Sequence, residues 1–280
     1  ASYDRELWEK VVDLGWTAAS IPEKYQGLGL SYLNLCVIAE ELGRSLAPIP
    51  FSSSVYLATE SLILFGSEEQ KSSFLPRLAS GEIIGCFAYD ETHSVSSLDG
   101  LNTTFSDGRI YGEKIPVADG GIADFAIVLA EKGNSDRSAF IVDLNSPEVE
   151  RTPVKSIDPS RDQAKLVFHG ATAEELGNQV RSEKILDTIY DRAAVLFAWE
   201  QVGGSDTALN MAKDYAMDRF AFGRPIASFQ AIKHKLANVY VKNALARSNC
   251  YYGAWAISTN SEEIATAAAA ARLSSIQAFY

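Results

Sequence analysis

The chain has 280 residues, 47% of them hydrophobic, and a formal net charge of −11. That is enough apolar material for about two domains with full cores. The acidity argues against a nucleic-acid partner, because phosphate binding needs a basic face, and no stretch is apolar over the ~20 residues a bilayer span requires.

In chain order, residues 4–82 are predicted helical. Leu7, Val11 and Leu14 mark one helix face, and Pro22, Gly27 and Gly29 punctuate a loop. Ser31 is placed to cap the next helix, with Leu35, Ile38, Ala39 and Leu42 on its core face and Gly43 near its end. Ser67-Glu68-Glu69-Gln70 is a capping-box pattern opening a further helix, which Pro76 disturbs. Near Ile83 the pattern changes to short β-rich runs at 83–89, 109–110, 125–129, 139–142 and 165–168. Turn signals at Asp99-Gly100, Asp107-Gly108 and Gly133-Asn134 separate them. From Ser182 to Tyr280 the chain reads as helical again. The expected domains are therefore 1–82, 83–181 and 182–280. An alanine-rich helical pattern runs to Tyr280 without a cap or breaker, and Ala1 already lies close to a helix, so the sequence is expected to be incomplete at both ends. The cysteines, Cys36, Cys86 and Cys250, are too scattered for a metal motif or a disulfide framework, which points to a reducing, cytoplasmic setting.

The most informative run is Asp218 to His234, Asp-Arg-Phe-Ala-Phe-Gly-Arg-Pro-Ile-Ala-Ser-Phe-Gln-Ala-Ile-Lys-His. Read locally, Arg219 complements a helix C-terminus, Gly223 stops that helix and Pro225 prevents its continuation. Phe229, Ile232 and Leu236 then open another helix. The run resembles the signature of the acyl-CoA dehydrogenase flavoenzymes, Arg-x-x-Phe-Gly-(Arg/Lys)-x-(Ile/Leu)-x-x-x-Gln-Ala. Ile-Pro-Glu-Lys-Tyr-Gln-Gly-Leu-Gly-Leu and Gly-Ser-Glu-Glu-Gln-Lys are similar to that family's N-terminal helical domain.

The resemblance implies an α+β architecture: an N-terminal helical domain, a middle antiparallel β-barrel or sandwich domain, and a C-terminal helical bundle. It implies FAD as cofactor and α,β-dehydrogenation of an acyl-CoA thioester, in which a carboxylate takes the α-proton and the flavin accepts the β-hydride. It also implies an electron-transfer flavoprotein as partner, a homo- or hetero-tetramer, and a place in fatty-acid or steroid degradation, most closely in the divergent bacterial type.

By motif position, Arg219, Phe222 and Gln230 match residues that contact FAD, usually from two subunits. On the β side the family run Tyr-x-x-Thr-Glu-x-x-x-Gly-Ser-Asp matches Phe87 to Ser97, giving Phe87, Tyr89, Asp90 and Ser96 as expected flavin contacts. Here Asp90 replaces the threonine and Val95 the glycine, while Glu91 and Ser96 remain. The family's Trp-Ile-Thr/Ser-Asn is replaced by Pro116-Val117-Ala118-Asp119. Two expectations follow. Either FAD binds through different contacts, or this chain is a degenerate partner like one subunit type of the mixed α2β2 steroid enzymes.

The base is equally open. In the commonest members it lies in a helical block beyond Tyr280; in another branch it falls on Ala193, with a neighbouring arginine on Ala194. The remaining candidate on this helix is Glu200, on one face with Ala193, Leu196, Phe197, Gly203 and Gly204. The glycines would let a ligand or another helix approach closely. Glu200 is then either a desolvated base or a buried tie to an arginine. Asp158 to Asp162 resembles a short motif of steroid-type members, in which Arg161 would pair with an acid or a CoA phosphate or sit in a solvated turn. His93, His169 and His234 lack metal spacing. Tyr251, Tyr252 and Trp255 are expected in core or subunit packing.

Overall fold

The computed structural model describes residues 3–91, 101–133, 136–158, 160–177 and 182–280. Their contacts form two units, Ala1–Leu30 with Pro48–Tyr190, and Ser31–Ala47 with Asp191–Tyr280.

The first unit begins with α1 (Arg5–Asp13), whose N-cap Asp4 accepts the Leu7 N–H at 3.0 Å. Trp8 and Val11 face inward, whereas Leu14 is the C-cap and 64% exposed, because the helix ends before it completes the predicted stripe. A 3-10 turn (Glu23–Tyr25) follows. A π-helix (Ser52–Thr59) then leads into α3 (Glu60–Phe65). In α4 (Glu68–Ala79) the predicted capping box is present: Ser67 Oγ accepts the Gln70 N–H at 3.2 Å and Gln70 Oε1 accepts the Ser67 N–H at 2.9 Å. Gln70 also donates to Glu174 at 2.6 Å and to the Glu175 carbonyl at 2.8 Å, so the cap ties helix to sheet.

The strands are β1 (Gly85–Ala88), β2 (Thr104–Ser106), β3 (Arg109–Ala118), β4 (Phe125–Glu131), β5 (Arg137–Asp143), β6 (Val149–Pro153) and β7 (Gln163–Glu175). Their order is β1-β4-β2-β3-β7-β5, with β6 on β7, and a further β4–β5 pairing closes β4, β2, β3, β7 and β5 into a ring. The predicted antiparallel barrel needs one correction: β1 runs parallel to β4, and β2 meets β4 in parallel at Thr104 and Glu131. The Asp107-Gly108 signal is a two-residue hairpin with both residues at positive φ, 51° and 76°. The core joins Ile127 and Leu129 of β4, Leu75 and Leu78 of α4, and Ile185 and Ile189 from the start of α5 (Ser182–Asp218).

The second unit packs α2 (Tyr32–Ser45), α5 from Asp191 onward, α6 (Gln230–Ser258) and α7 (Ile264–Phe279). Two glycines set how closely α2 and α5 approach. A Cβ on Gly43 would lie 2.0 Å from the Glu200 carbonyl oxygen, and one on Gly203 would lie 2.0 Å from that of Glu40. Between α5 and α6 runs a small hairpin of β8 (Phe220–Ala221) and β9 (Arg224–Pro225). Gly223 is therefore a hairpin-turn residue and not the helix stop expected of it: α5 ends at Asp218, and Phe222 and Gly223 take φ of 53° and 77°. Among the described residues no helix is long and apolar enough to cross a membrane.

Candidate functional site

The signature residues form an exposed corner in the second unit. Arg219 is pinned through its backbone, donating to the Tyr215 carbonyl at 2.9 Å and accepting from the Ile226 N–H at 2.8 Å. Its side chain is exposed and makes no hydrogen bond or ion pair among the described residues. Phe222 is 96% exposed. Arg224 lies 4.2 Å over the ring of Phe229, which meets Phe222 edge-on at 6.3 Å. Gln230 is the exposed first residue of α6, whose N-cap Phe229 provides no side-chain cap. The Ile232 N–H already donates to the Phe229 carbonyl at 3.1 Å, while the N–H groups of Gln230 and Ala231 have no acceptor among the described residues and are left for an outside one. A helix N-terminus beside an uncommitted guanidinium suits a diphosphate, and an exposed aromatic ring suits a flat heterocycle, so the donor set fits FAD.

The expected β-side contacts sit in the first unit and are mostly enclosed. Phe87 is 3% exposed and packs in the core, because every side chain of β1 is buried. That leaves Tyr89 and Asp90, both half-buried, at the strand's end. Tyr89 packs edge-on against Tyr190 at 5.0 Å. Ser96 and His93 lie outside the described residues. Behind the strand end, Lys114 Nζ donates to Glu91 Oε1 at 2.8 Å and to the Tyr89 carbonyl at 3.0 Å. Burial pushes the Lys114 ammonium down to about 8, against the pull of Glu91 and Asp90. Burial would raise the Glu91 carboxyl, yet Lys114 and the donors at Thr103 and Asn102 outweigh it and hold it at about 2.

At the place of the family's Trp-Ile-Thr/Ser-Asn, Asp119 is 2% exposed at φ 56° and accepts from Ser53 Oγ at 2.5 Å. Burial raises its carboxyl, while Ser53 and the Arg161 charge oppose that. Arg161 donates to Ser52 Oγ at 2.7 Å. It is anchored on the π-helix and is not in a solvated turn.

Glu200 is half-buried. The close approach its glycine-bearing face allows is to another helix: α2 fills the space beside Gly203, and Phe279 and the Gly43 carbonyl fill that beside Gly204. Its charge acts on Arg272, whose guanidinium is lowered by burial and supported by Glu200. Arg272 also donates to Gln201. Ala193 is 2% exposed, in the core of the second unit. Of the predicted packing residues, Tyr251 meets the buried Trp199 edge-on at 4.8 Å, and Trp255 is 51% exposed and stacks on Tyr252.

Sequence reasoning did not single out the four-charge cluster of the second unit. Glu40, with 10% of its side chain exposed, accepts from Arg44 at 2.5 Å and Arg247 at 2.6 Å, and Asp206 accepts from Arg44 at 2.5 Å. Helical spacing placed Glu40 beside the core positions Cys36 and Gly43, which was the available signal.

The fold has clear counterparts. Residues 1–82 match the model of the acyl-CoA dehydrogenase N-terminal domain and residues 186–279 that of the C-terminal domain. An acyl-CoA dehydrogenase of Bacillus subtilis (strain 168) is 33% identical over 264 residues, covering 89% of this chain and 70% of the relative. Butyryl-CoA dehydrogenase from Megasphaera elsdenii superposes with a TM-score of 0.91 at 28% identity, over 99% of this chain and 77% of that one. The ChsE4-ChsE5 complex from Mycobacterium tuberculosis gives 0.87 at 26%, over 99% and 74%. The chain belongs to the acyl-CoA dehydrogenase family, whose members are FAD-dependent oxidoreductases.

Proposed function

We propose that this protein is a subunit of an FAD-dependent acyl-CoA dehydrogenase that oxidises the α,β bond of an acyl-CoA thioester. The observation that carries the reading is the signature corner: Arg219, Phe222 and Gln230 match the family motif in register and are exposed, and the Arg219 side chain makes no hydrogen bond or ion pair among the described residues. FAD, when bound, supplies the hydride acceptor. In this reading Arg219 and the α6 N-terminus hold the diphosphate, Phe222 covers a ring, and Tyr89 and Asp90 meet the flavin. Contacts drawn from two subunits make the active form an oligomer, homo- or hetero-tetrameric, with an electron-transfer flavoprotein as electron acceptor. Glu200 on α5 is the candidate for taking the α-proton.

A second reading is favoured by Ala193 and by Pro116-Val117-Ala118, which leave out a helix-borne base and the usual aromatic and hydroxyl groups. In it the chain completes a neighbour's FAD site without catalysing dehydrogenation; a two-component complex, ChsE4-ChsE5, is among the structures this chain resembles. The flavin-to-protomer ratio of the purified protein, alone and with candidate partners, separates the two. A ratio near one supports catalysis by this chain, a ratio near one half in a mixed complex supports the partner role, and no flavin under any condition contradicts both.

A further inference from the structure

Lys114 lies on β3 with 0% of its side chain exposed. A lysine so enclosed is rare unless paired. Its ammonium is spent on the peptide that follows β1: it donates to the Tyr89 carbonyl at 3.0 Å and to Glu91 Oε1 at 2.8 Å. The next residue on β3, Ile115, donates its N–H to the Asp90 carbonyl at 2.8 Å. Glu91, with 8% of its side chain exposed, turns the rest of its carboxylate on a second segment. Oε2 accepts the Asn102 N–H at 2.6 Å and its Nδ2 at 3.2 Å, and Oε1 accepts the Thr103 N–H at 3.0 Å. Two consecutive carbonyls and one carboxylate are thereby fixed from behind.

A buried ion pair is an inefficient way to gain stability, since apolar groups of the same volume often serve as well. What this pair provides that an apolar pair would not is a defined backbone geometry for residues 89–91, because each of its hydrogen bonds ends on a particular oxygen or N–H.

We infer that Lys114 and Glu91 are positioning residues for the flavin, holding the backbone of Tyr89, Asp90 and Glu91 so that the Tyr89 and Asp90 side chains meet the ring in one arrangement. The inference rests on the proposed FAD-binding function. Neither residue touches the cofactor; both act through the peptide they hold. The charged groups facing Lys114 are Glu91 and Asp90, so loss of its proton would leave the Glu91 carboxylate without its cation and loosen that peptide.

The test is a titration of the full-length protein with FAD, using the complex with its partner if one is required. It compares wild type, Lys114→Met, Glu91→Gln and the double variant. Each single variant is expected to weaken FAD binding about tenfold or more, as loss of a charge-assisted hydrogen bond does, and to shift the absorption band of the bound flavin. The double variant, with no lone buried charge, is expected to recover thermal stability without recovering FAD affinity, which a purely structural tie would not do. In the wild type, FAD affinity is expected to fall as pH rises through about 8, with no such step in Lys114→Met. Variants that bind FAD within about threefold of wild type with an unchanged flavin band would overturn the inference and leave the proposed function standing. If the variants do not fold, Glu91→Asp, which keeps the charge but shortens its reach, is titrated instead, and FAD affinity within about threefold of wild type with an unchanged flavin band overturns the inference equally. A wild type that takes up no FAD overturns the proposed function, and this inference with it.

Discussion

At the α5–α6 corner, Arg219 and Phe222 are exposed, and the Arg219 side chain is uncommitted among the described residues, whereas at the end of β1 the Tyr89 and Asp90 carbonyls and the Glu91 carboxylate are committed to the protein behind them. The corner matches the family motif closely; the strand end and the Pro116–Asp119 segment depart from it. The difference has a physical sense. Residues that no internal contact requires carry chemistry meant for something outside the chain. Residues embedded in a buried polar network must suit their own neighbours first, and here Asp119 suits Ser53 and Arg161.

The comparison can be broken or sharpened by substitution. The largest effect is expected in the charge cluster of the second unit. Glu40→Ala leaves Arg44 and Arg247 without their shared carboxylate and should cost about 3 kcal/mol in urea unfolding. Gly203→Ala drives a methyl into the Glu40 carbonyl and should cost about 2 kcal/mol despite alanine's better helix propensity. At the corner the prediction reverses. Arg219→Ala should leave unfolding within about 0.5 kcal/mol of wild type but weaken FAD binding by about tenfold or more, as read by equilibrium titration. A stability loss there would show that Arg219 serves its own fold after all.

The remaining test is the pH dependence of the strand end. The Glu91 carboxyl is lowered from its ordinary 4.5 to about 2 when folded. Its contribution is therefore present above about pH 4.5 and is lost as pH falls through about 2. The stability difference between wild type and Glu91→Gln should shrink over that window. A difference that stays constant would mean that the carboxylate is unpaired in solution.

Much of this was legible in the sequence. The capping box at Ser67–Gln70 and the helical blocks follow from local pattern, and five of the seven sheet strands are long enough or apolar enough to announce themselves. β2 and β6 did not, because three and five residues of mixed burial carry little periodicity. Gly223 was misassigned because a helix stop and a hairpin turn both ask for a glycine at positive φ. The motif gave Arg219, Phe222 and Gln230, but nothing local showed that Phe87 would be drawn into the core. Lys114 had a readable sign: alternation along β3 puts it on the same face as the buried Ile110. What it pairs with depends on chain segments 11 to 23 residues apart, which no local pattern reports.

The central claim is that this chain works in an FAD-dependent acyl-CoA dehydrogenase. Its most direct test is anaerobic addition of acyl-CoA thioesters of different acyl types to the FAD-loaded protein, with its partner subunit where one is needed. The account predicts bleaching of the oxidised flavin band and formation of the 2-enoyl-CoA. A flavin that is fully bound and stays oxidised with every thioester would contradict it.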